Sequence, residues 1–150
     1  MSTAGQLPPT RSWESVTVGD TIDGHQLHLT PTTMVAHVSG SQDWNYVHHD
    51  VEFARSSGHS GIFYNTGWTT AMLSRALTDW GGPLGFVRKL DFQMRRMNMN
   101  GDTARVRGVV KGKRVEGGEH LVDLEIWIEN DREGVTTPGS AVVRLPSNPG

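Results

Sequence analysis

The chain has 150 residues, a formal net charge of −2 and no cysteine. This length favours one domain with its own core, and the lack of cysteine excludes disulfides, thiolate metal ligands and thiol nucleophiles. The small net charge gives no overall attraction to nucleic acid or to a membrane surface. No signal peptide is visible, and no apolar run approaches the roughly 18 residues of a membrane-spanning helix, so we expect a cytoplasmic protein.

Both ends of the chain are polar and rich in proline and glycine, as in MSTAGQLPPT and PSNPG. We expect flexible tails at residues 1–12 and 147–150, around one domain at residues 13–146. The domain begins with a segment from Trp13 to Leu29, for which we predict short extended pieces joined by a turn at Val-Gly-Asp.

Three helices are predicted in the first half of the chain. Thr30 can cap a first helix that holds Pro31 at its first position and ends near Gly40. A second, short helix fits residues 50–57. The third spans residues 67–80, where apolar residues recur at spacings of three and four and predict a broad buried face over about four turns. These apolar residues are Trp68, Ala71, Met72, Ala76, Leu77 and Trp80.

After Pro83 apolar and polar residues alternate, which is the pattern of strands with one buried face. Four such stretches occupy residues 90–94, 104–110, 122–129 and 141–145, with turn signals between them. The only element apolar enough to cover the resulting sheet is the helix at 67–80. We therefore predict an α+β fold with a single hot-dog domain, in which a curved antiparallel β-sheet wraps around one long central helix. Its edge strands predict a dimer.

The stretch QDWNYVHHD, at residues 42–50, concentrates two carboxylates, an amide and two adjacent histidines. Asp43 and His48 lie between two predicted helices, so a turn could bring both to one small pocket. Histidine exchanges protons near neutral pH, and a nearby carboxylate can orient the ring or hold the same water molecule. Asn45 could fix either group, whereas Asp50 is more simply a helix cap. From residue types alone, a polar surface loop explains this stretch about as well as a water-activating site.

The stretch DWNYVHHDVEFA resembles the hydratase signature of the MaoC-like, (R)-specific enoyl-CoA hydratases, which reads D-x-N-P-[IL]-H-x-D-x-x-x-A. The positions that match in register are Asp43, Asn45, His48, Asp50 and Ala54. WESVTVGD, IFYNTGWTTAML and FQMRRMNMNGDTARVRGVV also look like segments of that family, so the likeness covers nearly the whole chain. The chain departs from the family at Tyr46, where proline is usual, and at Asn65–Gly67, where histidine-glycine is common.

The resemblance implies a hydro-lyase that adds water to a trans-2-enoyl thioester, or removes it in reverse, without a cofactor or metal. Asp43 and His48 would be the catalytic pair, with His48 as general base and Asp43 sharing the water and helping to supply the proton to C2. Asn45 would support them. The backbone N–H of Gly67 would hold the thioester oxygen, where a helix dipole stabilises a developing enolate. The acyl group would be carried by CoA or by acyl carrier protein.

Two residues of the central helix are weaker candidates for contacts with the substrate. Trp68 is most simply a core residue, but it follows Gly67 closely enough to touch an acyl chain. Ser74 is the nearest match to a serine that is common in the family. The other histidines are assigned to the surface or to satisfied core positions; they are His25, His28, His37 and His120.

A closer resemblance concerns the substrate and the partner. VHHD, IFYN and LTDWGGP look like the small MaoC-like subunits of actinobacterial steroid side-chain enoyl-CoA hydratases. In those enzymes a catalytic hot-dog subunit pairs with a second, different hot-dog chain. The resemblance therefore implies a bulky or steroid-derived acyl-CoA, and either a homodimer or a heterodimer with another hot-dog chain.

Three other functions remain open for the same residues. A metal site could use His48, His49, Asp50 and His59, because imidazole and carboxylate suit zinc or iron. A non-catalytic acyl-CoA-binding subunit of a heteromeric hydratase would keep the shape without the chemistry. A hot-dog thioesterase would use Asp43 to direct water at the thioester carbonyl. No arrangement with a distant third histidine is evident for a metal site, and His49 is adjacent to His48. The presence of both Asp43 and His48 argues against a non-catalytic subunit. Relative to Asp43, the histidine at plus five and the asparagine at plus two favour hydration over thioester hydrolysis.

Overall fold

The computed structural model describes residues 9–148 and contains one antiparallel sheet of five strands in the order β1-β3-β4-β5-β2. The strands are β1 (Thr21–His28), β2 (Phe86–Phe92), β3 (Thr103–Glu116), β4 (Glu119–Asn130) and β5 (Gly134–Arg144). The helices are α1 (Pro31–Ser41), α2 (Val51–Ser56) and α3 (Thr66–Gly81). The predicted combination of an antiparallel sheet with one long helix is confirmed. No helix of the described part is long and apolar enough to span a membrane.

The helices begin where local capping signals place them. Thr30 and Thr33 cap the first turn of α1 reciprocally, and Pro31 fills the first helical position, where no N–H is needed. The carboxylate of Asp50 accepts a hydrogen bond from the backbone N–H of Phe53 at 2.9 Å, at the start of α2. Asp50 is therefore the helix cap that its position predicts.

The core lies between α3 and the concave face of the sheet. The helix buries the predicted residues Trp68, Met72 and Trp80, but Ala71, which we predicted on the same face, is exposed and Leu73 is buried instead. In β3 to β5 the predicted alternation is confirmed. The sheet side of the core is formed by Val106, Val110, Leu124, Ile126, Ile128, Ala141 and Val143.

The alternation predicted through Met94 extends too far. β2 ends at Phe92, and the Met94 side chain is exposed instead of buried. Its Sδ atom lies 3.5 Å from the hydroxyl oxygen of Thr66, the first residue of α3. The segment after β2 therefore runs past the start of the central helix.

A buried polar network lies behind the segment at residues 62–65. The guanidinium of Arg132 donates two hydrogen bonds to Asp102, from Nε to Oδ1 at 2.9 Å and from Nη2 to Oδ2 at 2.8 Å. The Asn130 amide links Asp102 to Asn98, with distances of 3.2 and 3.0 Å. The carbonyl of Asn98 in turn accepts from the backbone N–H of Tyr64 at 3.1 Å. The network thus holds the backbone that leads into α3.

The predicted tails fall partly outside the described residues, because nothing is described for 1–8 and 149–150. The described parts contact the domain. Arg11 donates from its backbone to the Gly81 carbonyl at 3.2 Å and from Nε to the Trp80 carbonyl at 2.8 Å. At the other end, the Asn148 backbone N–H donates to Glu14 at 3.0 Å. The predicted bounds of the domain at 13 and 146 stay a prediction.

Candidate active site

Asp43 and His48 lie in the connection between α1 and α2. A short 3-10 turn at Tyr46–His48 reverses the chain there, and the Asn45 side chain caps this turn by accepting from the Val47 N–H at 3.3 Å. The turn brings His48 back toward Asp43, so that Nε2 of His48 lies 3.6 Å from Oδ2 of Asp43. The predicted pair therefore shares one site, and the predicted supporting residue shapes the loop between them.

The ring of His48 is almost buried, and one hydrogen bond fixes which nitrogen carries the proton. Its Nδ1 atom lies 2.7 Å from the carbonyl oxygen of Phe63. Because a carbonyl only accepts, Nδ1 must be the donor in the neutral ring. Nε2 then carries the lone pair and faces Asp43. This is the arrangement that a general base requires.

The side chain of Asp43 is 42% exposed and is held by two hydrogen bonds. Oδ2 accepts from the Asn65 amide at 2.6 Å, and Oδ1 accepts from the Asn45 backbone N–H at 3.4 Å. The bond from Asn65 is the largest cause of the lowered pKa of Asp43. Burial, which acts to raise that pKa, comes second, and the Asn45 N–H lowers it further. The group is therefore a carboxylate at neutral pH and acts as an acceptor.

Gly67 is the second residue of α3 and is exposed, two residues after Asn65, which binds Asp43. Backbone N–H groups of a first helical turn have no acceptor within the helix and sit at the positive end of its dipole. A Cβ atom at residue 67 would lie 3.3 Å from Oδ1 of Asn65, the residue that caps α3. Glycine therefore keeps the cap undisturbed, and the contact of its N–H with a thioester oxygen stays a prediction.

The two weaker candidates for substrate contacts, Trp68 and Ser74, have no contact with Asp43 or His48 among the hydrogen bonds described above. Trp68 is buried and stacks on Tyr64 with ring centroids 4.1 Å apart, as expected of a core residue. Ser74 is half-buried, and the helical rise places it about 10 Å along the axis from Gly67. Contacts of either residue with a substrate stay a prediction.

Two residues that the sequence did not assign to the site join it. Asn65, mostly buried at 8% exposure, donates to Asp43, and its Oδ1 accepts from the Trp68 N–H at 2.9 Å. His37 of α1, which we expected at the surface or in the core, places Nε2 2.9 Å from the same oxygen. A sequence signal existed for Asn65 alone, because asparagine directly before an apolar helix is a common cap.

Most of the residues proposed as metal ligands have other hydrogen-bond partners in the structure. Nδ1 of His48 is used by Phe63, Nε2 of His49 lies 3.2 Å from the Trp44 carbonyl, and Asp50 caps α2. Across residues 9–148 no group of three or more histidine, aspartate or glutamate side chains is placed to hold a metal ion.

The chain is similar to known proteins in family and in fold. Residues 13–129 match the family model for the MaoC like domain. The chain is 30% identical over 77 residues to the 3-oxo-4,17-pregnadiene-20-carboxyl-CoA hydratase beta subunit of Mycobacterium tuberculosis. That alignment covers 51% of this chain and 60% of the relative, so the chain spans about three fifths of the curated relative it matches.

Solved structures share the fold. The ChsH1-ChsH2 complex of Mycobacterium tuberculosis matches with a TM-score of 0.78 and 24% identity, over 87% of this chain and 98% of that one. The R-hydratase PhaJ1 of Pseudomonas aeruginosa matches with a TM-score of 0.81 and 18% identity, over 91% and 86%. The (R)-hydratase of A. caviae matches with a TM-score of 0.78 and 19% identity, over 89% and 99%. The hot-dog fold is confirmed, and with the match over residues 13–129 the chain belongs to the MaoC-like dehydratase family.

Proposed function

We propose that this chain is an enoyl-CoA hydratase, which adds water to a trans-2-enoyl thioester or removes it from the 3-hydroxyacyl thioester. The observation that carries the proposal is the His48–Asp43 pair, in which Nε2 of His48 lies 3.6 Å from the Asp43 carboxylate while Nδ1 is bound to the Phe63 carbonyl. Two acceptors at this separation can share one water molecule. Membership of the family and the hydratase activity named for the Mycobacterium tuberculosis relative support the same reaction.

The proposed reaction uses the neutral tautomer of His48 that the Phe63 carbonyl selects. Nε2 of His48 takes one proton from the water while the water oxygen bonds to C3 of the enoyl thioester. The π electrons of the C2–C3 bond move toward the thioester oxygen, which becomes an enolate oxygen facing the N–H of Gly67 and the start of α3. The imidazolium then returns its proton to C2. One hydrogen and one hydroxyl have been added from the same face.

Asp43 has a narrower role in this scheme than the sequence implied. Because its pKa is lowered, Asp43 is ionised at neutral pH and enters the reaction without a proton. We propose that it accepts the second O–H of the water, which orients the attacking lone pair, and that its charge stabilises the His48 imidazolium. The proton delivered to C2 then comes from His48.

The substrate and partner rest on the relatives. The named activity of the Mycobacterium tuberculosis beta subunit concerns a pregnadiene carboxyl-CoA, and the ChsH1-ChsH2 structure is a complex. We propose a bulky, steroid-derived acyl-CoA substrate and a second hot-dog chain as partner. Strands β1 and β2 end the sheet in the described structure and offer edges for such a chain. Mass measurement of the purified protein, alone and co-expressed with candidate hot-dog chains, distinguishes a homodimer from a heteromer.

The test follows the ultraviolet absorbance of an enoyl-CoA and the release of free thiol in the same reaction. We expect the enoyl absorbance to fall without thiol release. Asp43→Asn and His48→Ala should each abolish this change and leave the circular dichroism spectrum unaltered. A loss below about tenfold in both variants, roughly 1.4 kcal/mol, would contradict the assigned roles. Thiol release with the enoyl absorbance intact would identify a thioesterase, and binding without either change a non-catalytic subunit.

A further inference from the structure

Asn65 joins three elements of the fold through one amide group. Its Oδ1 atom accepts from the backbone N–H of Trp68 in α3 at 2.9 Å and lies 2.9 Å from Nε2 of His37 in α1. Its Nδ2 atom donates to Oδ2 of Asp43 at 2.6 Å. Since both donors meet at one oxygen, the two lone pairs of that oxygen are in use.

This pattern permits one orientation of the amide. The backbone N–H of Trp68 can only donate, so it requires the oxygen of Asn65 on its side. Turning the amide over would set an NH2 group against the Trp68 N–H and against His37, and would set Oδ1 against the carboxylate of Asp43. It follows that His37 donates through Nε2, and that the NH2 group must face Asp43.

Asp43 depends on this amide for its position. It lies in a loop and its side chain is 42% exposed, so packing alone does not select its rotamer. Its contact with the backbone N–H of Asn45 is long, at 3.4 Å, whereas the bond from Asn65 is 2.6 Å. The separation of 3.6 Å between Asp43 and Nε2 of His48 is therefore set largely from α3 and α1.

We propose that Asn65 is a positioning residue for Asp43 in the hydration reaction, and that His37 fixes the orientation of the Asn65 amide. The inference rests on the proposed function, because it assigns Asn65 a role in that reaction. The electrostatics agree, since the hydrogen bond from Asn65 is the largest cause of the lowered pKa of Asp43. One amide thus orients the carboxylate and lowers its pKa.

The first variant separates this role from helix capping. Asn65→Ser keeps an oxygen that can cap the Trp68 N–H but loses the donor to Asp43. We expect a thermal midpoint close to that of the wild type, and kcat reduced about 10- to 100-fold with KM changed much less. The pKa of Asp43, read from the carboxyl carbon shift in a nuclear magnetic resonance titration, should move upward. Asn65→Asp also keeps the cap but places a second carboxylate next to Asp43. We therefore expect a larger loss of kcat and a larger upward shift of the Asp43 pKa than in Asn65→Ser.

A second pair of variants tests His37. His37→Phe keeps a ring without a donor, and His37→Gln restores an N–H group. We expect His37→Phe to lower kcat in the same direction as Asn65→Ser but less, and His37→Gln to recover most of the loss. If both His37 variants have equal activity, the role of His37 is overturned, even where Asn65→Ser unfolds.

The titration separates the two proposals. If the wild type has no hydratase activity, the proposed function fails, whereas an upward shift of the Asp43 pKa in Asn65→Ser still supports the positioning geometry. If Asn65→Ser folds with wild-type kcat and an unchanged Asp43 titration, the positioning role is overturned while the hydratase proposal stands.

Discussion

The pair of Asp102 and Arg132 gives a prediction whose size follows from burial. The Asp102 side chain is 8% exposed and receives two hydrogen bonds from Arg132, whose own side chain is 41% exposed. In Arg132→Ala a buried carboxylate loses its counter-charge, which typically costs about 3–5 kcal/mol. Solvent screening of the half-exposed guanidinium places the expected loss lower, at about 2–3 kcal/mol. At about 2–4 °C per kcal/mol, the melting temperature should fall by roughly 4–12 °C.

The same pair predicts a pH dependence. Burial alone would raise the pKa of Asp102, but the Arg132 hydrogen bonds, the Met99 N–H and the Arg132 charge together outweigh it, so the pKa lies below its usual range. Such a carboxylate stabilises the folded state above the unfolded pKa of about 3.9, and this contribution is lost as the pH falls through the lower folded value. In Arg132→Ala the burial and the Met99 N–H bond remain, but the Arg132 bonds and charge are lost, so the pKa of Asp102 rises. The difference in the free energy of unfolding between the wild type and Arg132→Ala should be largest near neutral pH and should decrease in acid.

Urea unfolding followed by tryptophan fluorescence measures both effects, with a lower midpoint and an unchanged m-value as the signature of lost stability. The matched control is Arg96→Ala, because Arg96 lies near the same turn and pairs with Glu133 at 2.8 Å with its own side chain 58% exposed. We expect little change in that variant. The reasoning is refuted if Arg132→Ala is no less stable than Arg96→Ala, or if its deficit stays constant down to acid pH.

Two glycine substitutions test close approaches in the fold. Gly67→Ala should lower kcat/KM while the fold persists, because the new Cβ would lie 3.3 Å from Oδ1 of Asn65 and crowd the cap. Wild-type kinetics in this variant would show that the cap tolerates the added methyl group. Gly24→Ala should cost about 1–3 kcal/mol in urea unfolding, because its Cβ would lie 2.9 Å from Cβ of Val106 and 3.2 Å from that of Ala76, both fixed in the core. An unchanged urea midpoint of Gly24→Ala would mean that β1 can move away from α3 at little cost and would contradict this prediction.

The features that the sequence predicted well are decided locally. Thr30 and Pro31 define the start of α1, and Asp50 the start of α2, within a single turn of chain. Alternation in β3 to β5 predicted which residues face the core, because each strand shows one face to α3 along its buried length. The convergence of Asp43 and His48 also needs only a short turn, which the 3-10 segment provides.

The features that the sequence did not predict depend on distant partners. Asn65 contacts Asp43 across 22 residues and His37 across 28, and no periodicity encodes such contacts. Met94 continues the alternation of β2 in sequence, but β2 has already ended at Phe92. Ala71 has the right residue type for the core, yet it lies on the side of α3 that the sheet does not cover.

Both members of the proposed catalytic pair, His48 and Asp43, are held by the segment at residues 62–65, although they lie in a different loop. The carbonyl of Phe63 sets the tautomer of His48, and the amide of Asn65 holds Asp43. Phe63 itself pairs with Met99, next to the Asn98 carbonyl that binds the Tyr64 N–H. A change that moves this segment must therefore disturb base and carboxylate together, whereas a change within the loop can disturb one of them. For this reason Arg132→Ala, which loosens the network behind the segment, should lower kcat even though Arg132 bonds to neither His48 nor Asp43.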